Sequence, residues 1–424
     1  MKTFPNPSIA TSAVKSSNLL ISHQCPQCGA PAILEEADRL FTCAYCRVRS
    51  CLLQNDYFRY LFPGPHSENN DLIFFPYWRF KGTVFSCVSD GIRHRFIDVS
   101  HQALPSQCFP VSIGLRSQAL KMQFVLPESS GRFIPPHLPF SSVLPVFEDR
   151  LKATLPKPVF HQAFIGDSFS LIYSPFFIKD KVYDGLLNQP VSSEPPEDLD
   201  AWLSSAKPPS KNIRFVPALC PSCGWDLDGH RNSMIFTCKN CHSVWRTDKN
   251  GLKKMKFAFI FEPGDNIIYL PFWRITADIE GIRLQSYADL VKLANLPKAC
   301  QNNWKDIPFS FWVPGFKVRP QTFIRISQDI TLGQPNEKLI RELPDAAVHP
   351  VTLPVEEAVQ SLKIHLAGFM KPRKLLSSML EEIIIKPKTD LLVYIPFLQT
   401  AHELIQPRFQ LALNKNQLAL AWNL

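Results

Sequence analysis

The chain has 424 residues, enough for roughly two to four domains, and its 45% hydrophobic and 20% charged residues predict a globular protein with buried cores. It contains 38 Pro and 32 Phe but only 16 Gly, which favours many short strands and stiff connections over long helices. The net charge of +9 is a mild excess over this length. It permits contact with nucleic acid or an acidic partner without requiring either.

The first residues, 1–17, lack the apolar segment of a secretory signal, and no apolar run approaches the length of a membrane helix. We therefore expect a cytoplasmic protein without membrane insertion. Because the cytosol keeps thiols reduced, the 12 Cys need a role other than disulfide formation.

The first cysteine-rich segment lies at 20–55. It contains the pairs Cys25–Cys28 and Cys43–Cys46, which are separated by residues 29–42. A C-x2-C pair directs two thiolates at one point, and two facing pairs supply the four sulfurs of a tetrahedral metal site. Gly29 follows the first pair, where such a turn often requires a positive φ.

Residues 56–187 are predicted to form a β-rich domain. The pattern of Asp71–Val99 predicts a hairpin whose turn carries Gly91, and Ser170–Gly185 predicts a second hairpin. Between them, Ser141–Leu155 is amphipathic and predicts a helix.

The sequence GDSFS at Gly166–Ser170 resembles the nucleophile block of the GDSL esterases, in which Ser168 would attack an ester. In that family the block precedes a helix, and a D-x-x-H motif supplies the base. Here a predicted strand follows and no D-x-x-H motif is present. The chain also lacks a Gly-rich phosphate loop and an H-E-x-x-H motif, so an esterase is a remote alternative and catalysis is not expected.

Residues 188–212 are rich in Pro, Ser and acidic residues, a composition that predicts a linker. The second cysteine-rich segment follows at 213–256. Its pairs, Cys220–Cys223 and Cys238–Cys241, are separated by residues 224–237, the same spacing as in the first segment. A turn glycine, Gly224, again follows the first pair.

Both segments resemble zinc ribbons, the family of rubredoxin-type knuckles. The resemblance implies two structural Zn ions, one in each segment, although a tetrahedral set of four sulfurs also suits iron. Four thiolates leave no open coordination position, so catalytic metal is not expected. We expect the other cysteines to be small buried hydrophobic residues, and these are Cys51, Cys87, Cys108 and Cys300.

Residues 257–424 are predicted to form a second β-rich domain. Asn266–Leu290 predicts a hairpin with its turn at Gly281, and Leu391–Leu404 predicts another. Helices are predicted at Pro354–Phe369 and Arg373–Ile385, where apolar residues recur at helical spacing.

The two β-rich domains share an unusual motif, FPYWR in the first and LPFWR in the second. Cys220 follows Cys25 by 195 positions, and Pro271 follows Pro76 by the same number. The ribbon and the motif have therefore shifted together, which predicts an internal duplication. Further on, we align 109–122 with 311–326. The fold class predicted is α+β: two four-Cys ribbons, each followed by mainly antiparallel hairpins with a few helices.

The shared motif has two interpretations. Trp78 and Trp273 are either stacking platforms for bases, with Arg79 and Arg274 on phosphates, or buried anchors of the repeat. We favour the second interpretation, because strongly apolar residues flank both motifs. The repeat anchors are Pro76, Trp78, Arg79, Pro271, Trp273 and Arg274.

Basic residues are concentrated in the second ribbon and its exit. Those that could contact nucleic acid are Arg231, Lys239, Arg246, Lys249, Lys253 and Lys254. Our leading hypothesis is a non-catalytic adaptor or scaffold that binds another protein through a repeated, pseudo-two-fold surface. The alternative is nucleic-acid binding through the second ribbon. The sequence does not predict the partner or the oligomeric state.

Overall fold

The computed structural model describes residues 20–53, 56–64, 72–114, 120–165, 169–192, 194–209, 213–371 and 379–419. Strands account for 41% and helices for 18%, so the fold is mixed, with several sheets and few helices. In this part of the chain, every helix is too short or too polar to cross a lipid bilayer.

The first half is built on one large, mostly antiparallel sheet. The strands of the first half are β1 (Leu20–Gln24), β2 (Pro31–Glu35), β3 (Leu40–Thr42), β4 (Arg49–Leu53), β5 (Phe58–Leu61), β6 (Ile73–Val88), β7 (Gly91–Gln102), β8 (Met122–Phe124), β9 (Arg132–Phe133), β10 (Val159–Ile165), β11 (Phe169–Ile178), β12 (Val182–Asp184) and β13 (Pro190–Ser192). Of these, β3 and β4 belong to a separate small sheet. The helices of the first half are α1 (Phe140–Lys152) and α2 (Leu199–Ser205). The large sheet runs β10-β6-β11-β5-β8-β1-β2, and β7 also pairs with β6.

The second half is built on a separate main sheet. The strands of the second half are β14 (Arg214–Pro217), β15 (Ile235–Cys238), β16 (Ser243–Asp248), β17 (Gly251–Met255), β18 (Phe257–Ile260), β19 (Ile267–Glu280), β20 (Phe311–Pro314), β21 (Leu339–Ile340), β22 (Ala347–Val348), β23 (Ile384–Gln399), β24 (Glu403–Gln406) and β25 (Leu411–Asn414). Of these, β18 to β25 form the main sheet, and β14 to β17 belong to two smaller sheets. The helices of the second half are α3 (Tyr287–Leu293), α4 (Pro320–Gly333), α5 (Val355–Gln360), α6 (Leu362–Phe369) and α7 (Lys415–Ala419), with 3-10 turns at Asn302–Lys305 and Pro407–Phe409. The main sheet runs β20-β19-β23-β18-β21.

Three of the predicted hairpins are present: β6 pairs with β7, β11 with β12, and β23 with β24. The predicted helix at Ser141–Leu155 corresponds to α1. The helix predicted at Pro354–Phe369 is divided into α5 and α6, which meet at Ser361.

Each half carries a proline inside a long central strand, and both occupy the same kind of position. Pro76 lies opposite Tyr173 of β11, and Pro271 lies opposite Tyr394 of β23. On the other side of the strand, the Pro76 carbonyl accepts from the N–H of Ala103 at 2.9 Å, just after β7 ends. In an antiparallel strand the N–H and C=O of one residue point to the same side. The N–H that Pro76 lacks would therefore point toward β7, which has already ended at this position. No hydrogen bond between the strands is lost.

Both tryptophans of the shared motif are buried. The indole N–H of Trp78 donates to the Leu138 carbonyl at 2.7 Å, and that of Trp273 donates to the Leu353 carbonyl at 2.9 Å. A buried indole needs such an acceptor, because an unpaired N–H in an apolar core is costly. Trp78 thus binds the segment before α1 to the sheet, and Trp273 binds the segment before α5.

The structure corrects the second strand predicted within Asn266–Leu290. After β19 the chain instead forms α3, whose N-cap Ser286 accepts from the Asp289 N–H while the Asp289 carboxylate accepts from the Ser286 N–H. This capping box, Ser-x-x-Asp, starts a helix where the apolar alternation suggested a strand. β20 pairs with β19 at the position where β7 pairs with β6 in the first half. Phe272 of β19 lies opposite Pro314 of β20, as Tyr77 of β6 lies opposite Gln102 of β7.

Two further predictions differ from the structure. The alignment of 109–122 with 311–326 does not correspond to matching elements, because the described residues 109–114 are irregular whereas β20 and α4 form in the second half. The predicted helix Arg373–Ile385 lies partly outside the described residues, and its last residues, Ile384 and Ile385, begin β23 instead. β-Branched side chains favour the extended strand there.

The segment predicted as a linker, 188–212, contains β13 and α2. Trp202 of α2 packs against the core of the first half, with its ring 6.5 Å from that of Phe75. This segment contains few hydrophobic residues, and its composition alone did not predict that they pack against the core.

The two halves of the chain pack against each other. Phe85, Cys87 and Ala163 of the first sheet belong to the same buried cluster as Phe323 and Leu366 of the second half. Helices α5 and α6 lie against β10, and α6 also contacts β6 and β7.

Candidate metal centres

The first centre brings together the four sulfurs of Cys25, Cys28, Cys43 and Cys46, all within 4.8 Å of one another. The Cys25 and Cys46 sulfurs are 3.8 Å apart, and those of Cys28 and Cys43 are 3.7 Å apart. Bonds of about 2.3 Å to a tetrahedral metal place sulfurs about 3.8 Å apart, so the spacing suits one ion.

The second centre has the same construction. The sulfurs of Cys220 and Cys241 are 3.6 Å apart, and those of Cys223 and Cys238 are 3.5 Å apart. All four lie within 4.8 Å of one another. These eight cysteines are the ones that the spacing predicted.

The loops that aim the sulfurs have left-handed residues at matched positions. Gly29 and Gly224 have φ of 73° and 74°, as the sequence predicts. In the second pair of each centre this conformation is adopted by Arg47, at φ 59°, and His242, at φ 49°. Only glycine reaches this region without steric cost, so the second loops hold a small strain that the surrounding hydrogen bonds and metal would have to offset.

Local hydrogen bonds favour the thiolate form of one cysteine in each centre. The backbone N–H of Cys46 donates to the Cys43 sulfur and, against the effect of burial, lowers its pKa to about 6. Burial raises the pKa of Cys220, but the Ser243 hydroxyl and nearby backbone N–H groups outweigh it and lower the pKa to about 6. The Val48 N–H lowers the pKa of Cys46, but burial and the neighbouring cysteine sulfurs outweigh it and raise the pKa to about 12. Burial raises the pKa of Cys238 to about 12. Each centre thus combines a thiolate with a thiol that must lose its proton when metal binds.

Nearby histidines do not join either group. Within the described residues, the sets of sulfur, nitrogen and oxygen ligands close enough to hold a metal contain only cysteines. The ring of His23 is instead stacked on Phe215, with centroids 4.6 Å apart. Each centre therefore offers four sulfurs and no position for a substrate.

The two ribbon-like segments form one packed unit, which we call the ribbon pair (residues 20–53 and 214–255). Strand β14 of the second ribbon pairs with β4 of the first, with Val216 opposite Cys51. Side chains from both ribbons form one buried cluster, composed of Leu40, Cys51, Ala218, Cys220, Leu227, Phe236, Cys238 and Trp245. Ligands of the second centre are thus buried against the first ribbon.

An ion pair and two backbone bonds also join the ribbons. The Arg231 guanidinium donates to Asp38 at 2.6 Å, and its carbonyl accepts from the N–H groups of Arg39 and Leu40. Asp38 is buried, which raises its pKa more than Arg231 lowers it. Sequence reasoning treated Arg231 as a candidate for nucleic-acid contact and missed its carboxylate partner, which lies 193 positions away.

We predict a measurable coupling between Asp38 and Arg231. In a double-mutant cycle of Asp38→Asn and Arg231→Met, the coupling is expected to be about 0.5–1 kcal/mol, because one partner is buried and the other is half exposed. Urea unfolding of the metal-loaded protein measures it. The exposed pair Asp228–Lys239 is the control, with a coupling near zero, and equal values for both pairs would contradict the prediction.

A buried charge network holds the first ribbon on the sheet. Arg79 is fully buried, with its Nε 2.6 Å from Asp98 and its Nη1 2.7 Å from Glu36 of the ribbon. Lys81 lies 4.0 Å from the other Glu36 oxygen. Burial lowers the pKa of Arg79, but the two carboxylates outweigh it and raise the pKa.

The corresponding arginine of the second half has a different environment. Arg274 is half-buried and, within the described residues, pairs with no carboxylate; burial lowers its pKa. The shared motif therefore does not impose the same electrostatic role on both arginines.

The basic candidates of the second ribbon fall into two groups. Lys239 pairs with Asp228 at 3.0 Å, and Arg246 lies 3.8 Å from Glu356. The others, Lys249, Lys253 and Lys254, lie on the β16–β17 hairpin. Since neighbouring residues of a strand face opposite sides, Lys253 and Lys254 cannot contact one phosphate surface together.

The GDSFS segment is described only from Phe169 onward, and its candidate nucleophile Ser168 lies outside the described residues. Phe169 begins β11.

No family model, no curated protein and no solved structure matches this chain.

Proposed function

We propose that the protein is an internally duplicated, zinc-stabilised, non-catalytic component that assembles with another protein in the cytoplasm. Two features support a structural role for the metal. Each centre uses all four tetrahedral positions for sulfur, and a closed site of this kind stabilises folding rather than reacting. All of the cysteines in the centres are free of disulfides, as a reducing compartment requires.

The duplication is supported by matching contacts in the two sheets. Phe74 faces Pro175 in the first half, and Tyr269 faces Pro396 in the second. The carbonyl of Pro76 accepts from Ala103, and that of Pro271 accepts from Gly315, both at 2.9 Å. Such agreement in strand register is the pattern expected of two copies of one ancestral unit.

The observation that carries the assembly proposal is the exposure of aromatic side chains beside the knuckles. Tyr45 lies between two ligands of the first centre and is 69% exposed, and Trp225, two residues after a ligand of the second centre, is 61% exposed. Leu219 beside it is 45% exposed. Tyrosine and tryptophan dominate the binding energy of protein interfaces, and metal-bound loops present them rigidly, at low entropic cost.

The aromatic positions are not repeated. The residue 195 positions after Tyr45 is Asn240, and the residue 195 positions before Trp225 is Ala30. We therefore propose that the partner contacts the two ribbons differently, rather than as a symmetric pair.

The test is capture of the partner from native extract, followed by native mass spectrometry. Full-length protein is expected to retain one partner at a fixed ratio, and the double variant Tyr45→Ala/Trp225→Ala is expected to lose it while keeping its metal. The control is Phe261→Ala, because Phe261 is 62% exposed but follows β18 and belongs to neither cysteine loop. Absence of a stoichiometric partner for the wild type, or its retention by the double variant, contradicts the proposal.

Nucleic-acid binding is the second candidate function, favoured only by the basic hairpin of the second ribbon. Its signature is a steep loss of affinity with increasing salt. An affinity for nucleic acid that does not change with salt concentration would contradict this function.

A further inference from the structure

The segment between β19 and β20, residues 281–310, distinguishes the two halves. In the first half, the corresponding place is occupied by the continuation of the β6–β7 hairpin. In the second half, the chain leaves the sheet and forms α3 and the 3-10 turn Asn302–Lys305, joined by contact between the rings of Tyr287 and Trp304 at 4.9 Å. A connecting segment that is present in only one of the two halves is a good candidate for a binding site, because loops held on a rigid scaffold often carry binding residues.

A cleft of about 810 Å³ lies against α3, and we call it the α3 cleft. Four cationic side chains line it, together with two carboxylates; these are Arg283, Lys292, Lys305, Lys371, Asp289 and Asp306. Its size is within the range of small-molecule sites, which is about 300–1,000 Å³.

One of the two carboxylates is already used within the protein. Asp289 accepts hydrogen bonds from the backbone N–H groups of Gln285 and Ser286 at 3.1 and 3.0 Å, and it lies 3.3 Å from the Nε of Arg283. It therefore serves the helix cap and neutralises the arginine.

The lysines of the cleft remain available. Within the part of the chain that the structure describes, Lys292, Lys305 and Lys371 form no ion pair. Three ammonium groups around one concave surface, opposed by the single carboxylate of Asp306, focus a positive potential into the α3 cleft. Ammonium groups bind phosphate oxygens as point charges, and a ligand with more than one phosphate charge can engage several at once.

We propose that the α3 cleft binds a phosphate-bearing ligand. This site is separate from the knuckles and from the second ribbon, where Arg231, Lys239 and Arg246 face carboxylates. It does not depend on the assembly proposal. The shared chemistry is the phosphate group, which either a small phosphorylated molecule or a nucleic-acid strand supplies.

The experiment compares three metal-loaded, full-length proteins by titration with inorganic pyrophosphate. These are the wild type, the cleft variant Lys292→Glu/Lys305→Glu, and the control variant Lys121→Glu/Lys181→Glu, which changes the net charge equally at two exposed positions of the first half that belong to no candidate site. The cleft variant is expected to bind pyrophosphate roughly tenfold or more weakly, because two charge-assisted contacts become repulsive. The control is expected to remain within about twofold, since only distant charge has changed.

A labelled single-stranded oligonucleotide distinguishes the two sources. If it competes with pyrophosphate and the cleft variant loses both, the site takes the phosphates of a strand; if only pyrophosphate binds, the ligand is a small molecule. The milder variant Lys292→Gln/Lys305→Gln replaces the charge reversal if the latter does not fold. Failure of the wild type to bind pyrophosphate, equal binding by all proteins, or an equal loss in the control overturns the proposal.

Discussion

Replacing Cys238 by Ser is expected to empty the second centre and also to weaken metal binding at the first. Cys238 is fully buried in the cluster shared by the two ribbons, so its loss removes a ligand and disturbs the packing of Leu40 and Cys51. Metal binding to a four-thiolate site contributes about 10–16 kcal/mol of apparent free energy in zinc-finger peptides, and much of it is folding free energy. Local unfolding of the second ribbon removes β14 from the edge of β4.

Native mass spectrometry measures this effect as the number of bound ions, and a chelator titration measures the affinity of the remaining site. The wild type is expected to hold two ions, and the variant one, bound more weakly than in the wild type. Cys300→Ser is the control, because Cys300 belongs to neither group and, contrary to the burial expected from the sequence for it and for the half-buried Cys108, is exposed. Unchanged affinity of the first centre in Cys238→Ser would mean that the ribbons bind metal independently.

Replacing Arg79 by Met is expected to destabilise the protein by about 3–5 kcal/mol, because it removes the buried cation that lies between Glu36 and Asp98. Lys81 stays 4.0 Å from Glu36 and compensates for only part of this loss. The same replacement at Arg274 is expected to change stability by less than about 1 kcal/mol, or to stabilise it, because no buried partner is left behind.

Urea unfolding of the metal-loaded variants tests this contrast. Each arginine follows the Trp of its own copy of the shared motif, so each variant serves as the control for the other. Similar losses in both would show that the arginines act through their aliphatic stems rather than through charge. The triple variant Glu36→Gln/Arg79→Met/Asp98→Asn is expected to recover part of the loss, since it removes the stranded charges.

The metal centres and the main hairpins were predictable from the sequence, because both depend on local signals. Two thiolates at C-x2-C spacing must lie close together wherever the chain goes, and the turn at Gly91 directly joins two apolar runs. The placement of Trp78 in the core was also indicated by its apolar neighbours.

Features that depend on distant residues were not predictable. Glu36, which pairs with Arg79, and Asp38, which pairs with Arg231, lie 43 and 193 positions away, and nothing in their own surroundings identifies them as partners. The capping box of Ser286 and Asp289 was a local signal of α3, but the apolar alternation before it favoured a strand. The helix in the predicted linker depends on a few apolar residues, such as Trp202, whose docking site belongs to a separate part of the chain.

The pairing of β4 with β14 also bears on how the chain is made. Residues 49–53 leave the ribosome long before residues 214–217, and until these emerge one edge of the first ribbon has no neighbouring strand. The nascent amino-terminal half must therefore be synthesised with an open strand edge, the kind of surface that invites aggregation and the attention of chaperones. A chain truncated between the two ribbons would therefore carry all four cysteines of the first centre but would be released with the β4 edge of that ribbon unpaired.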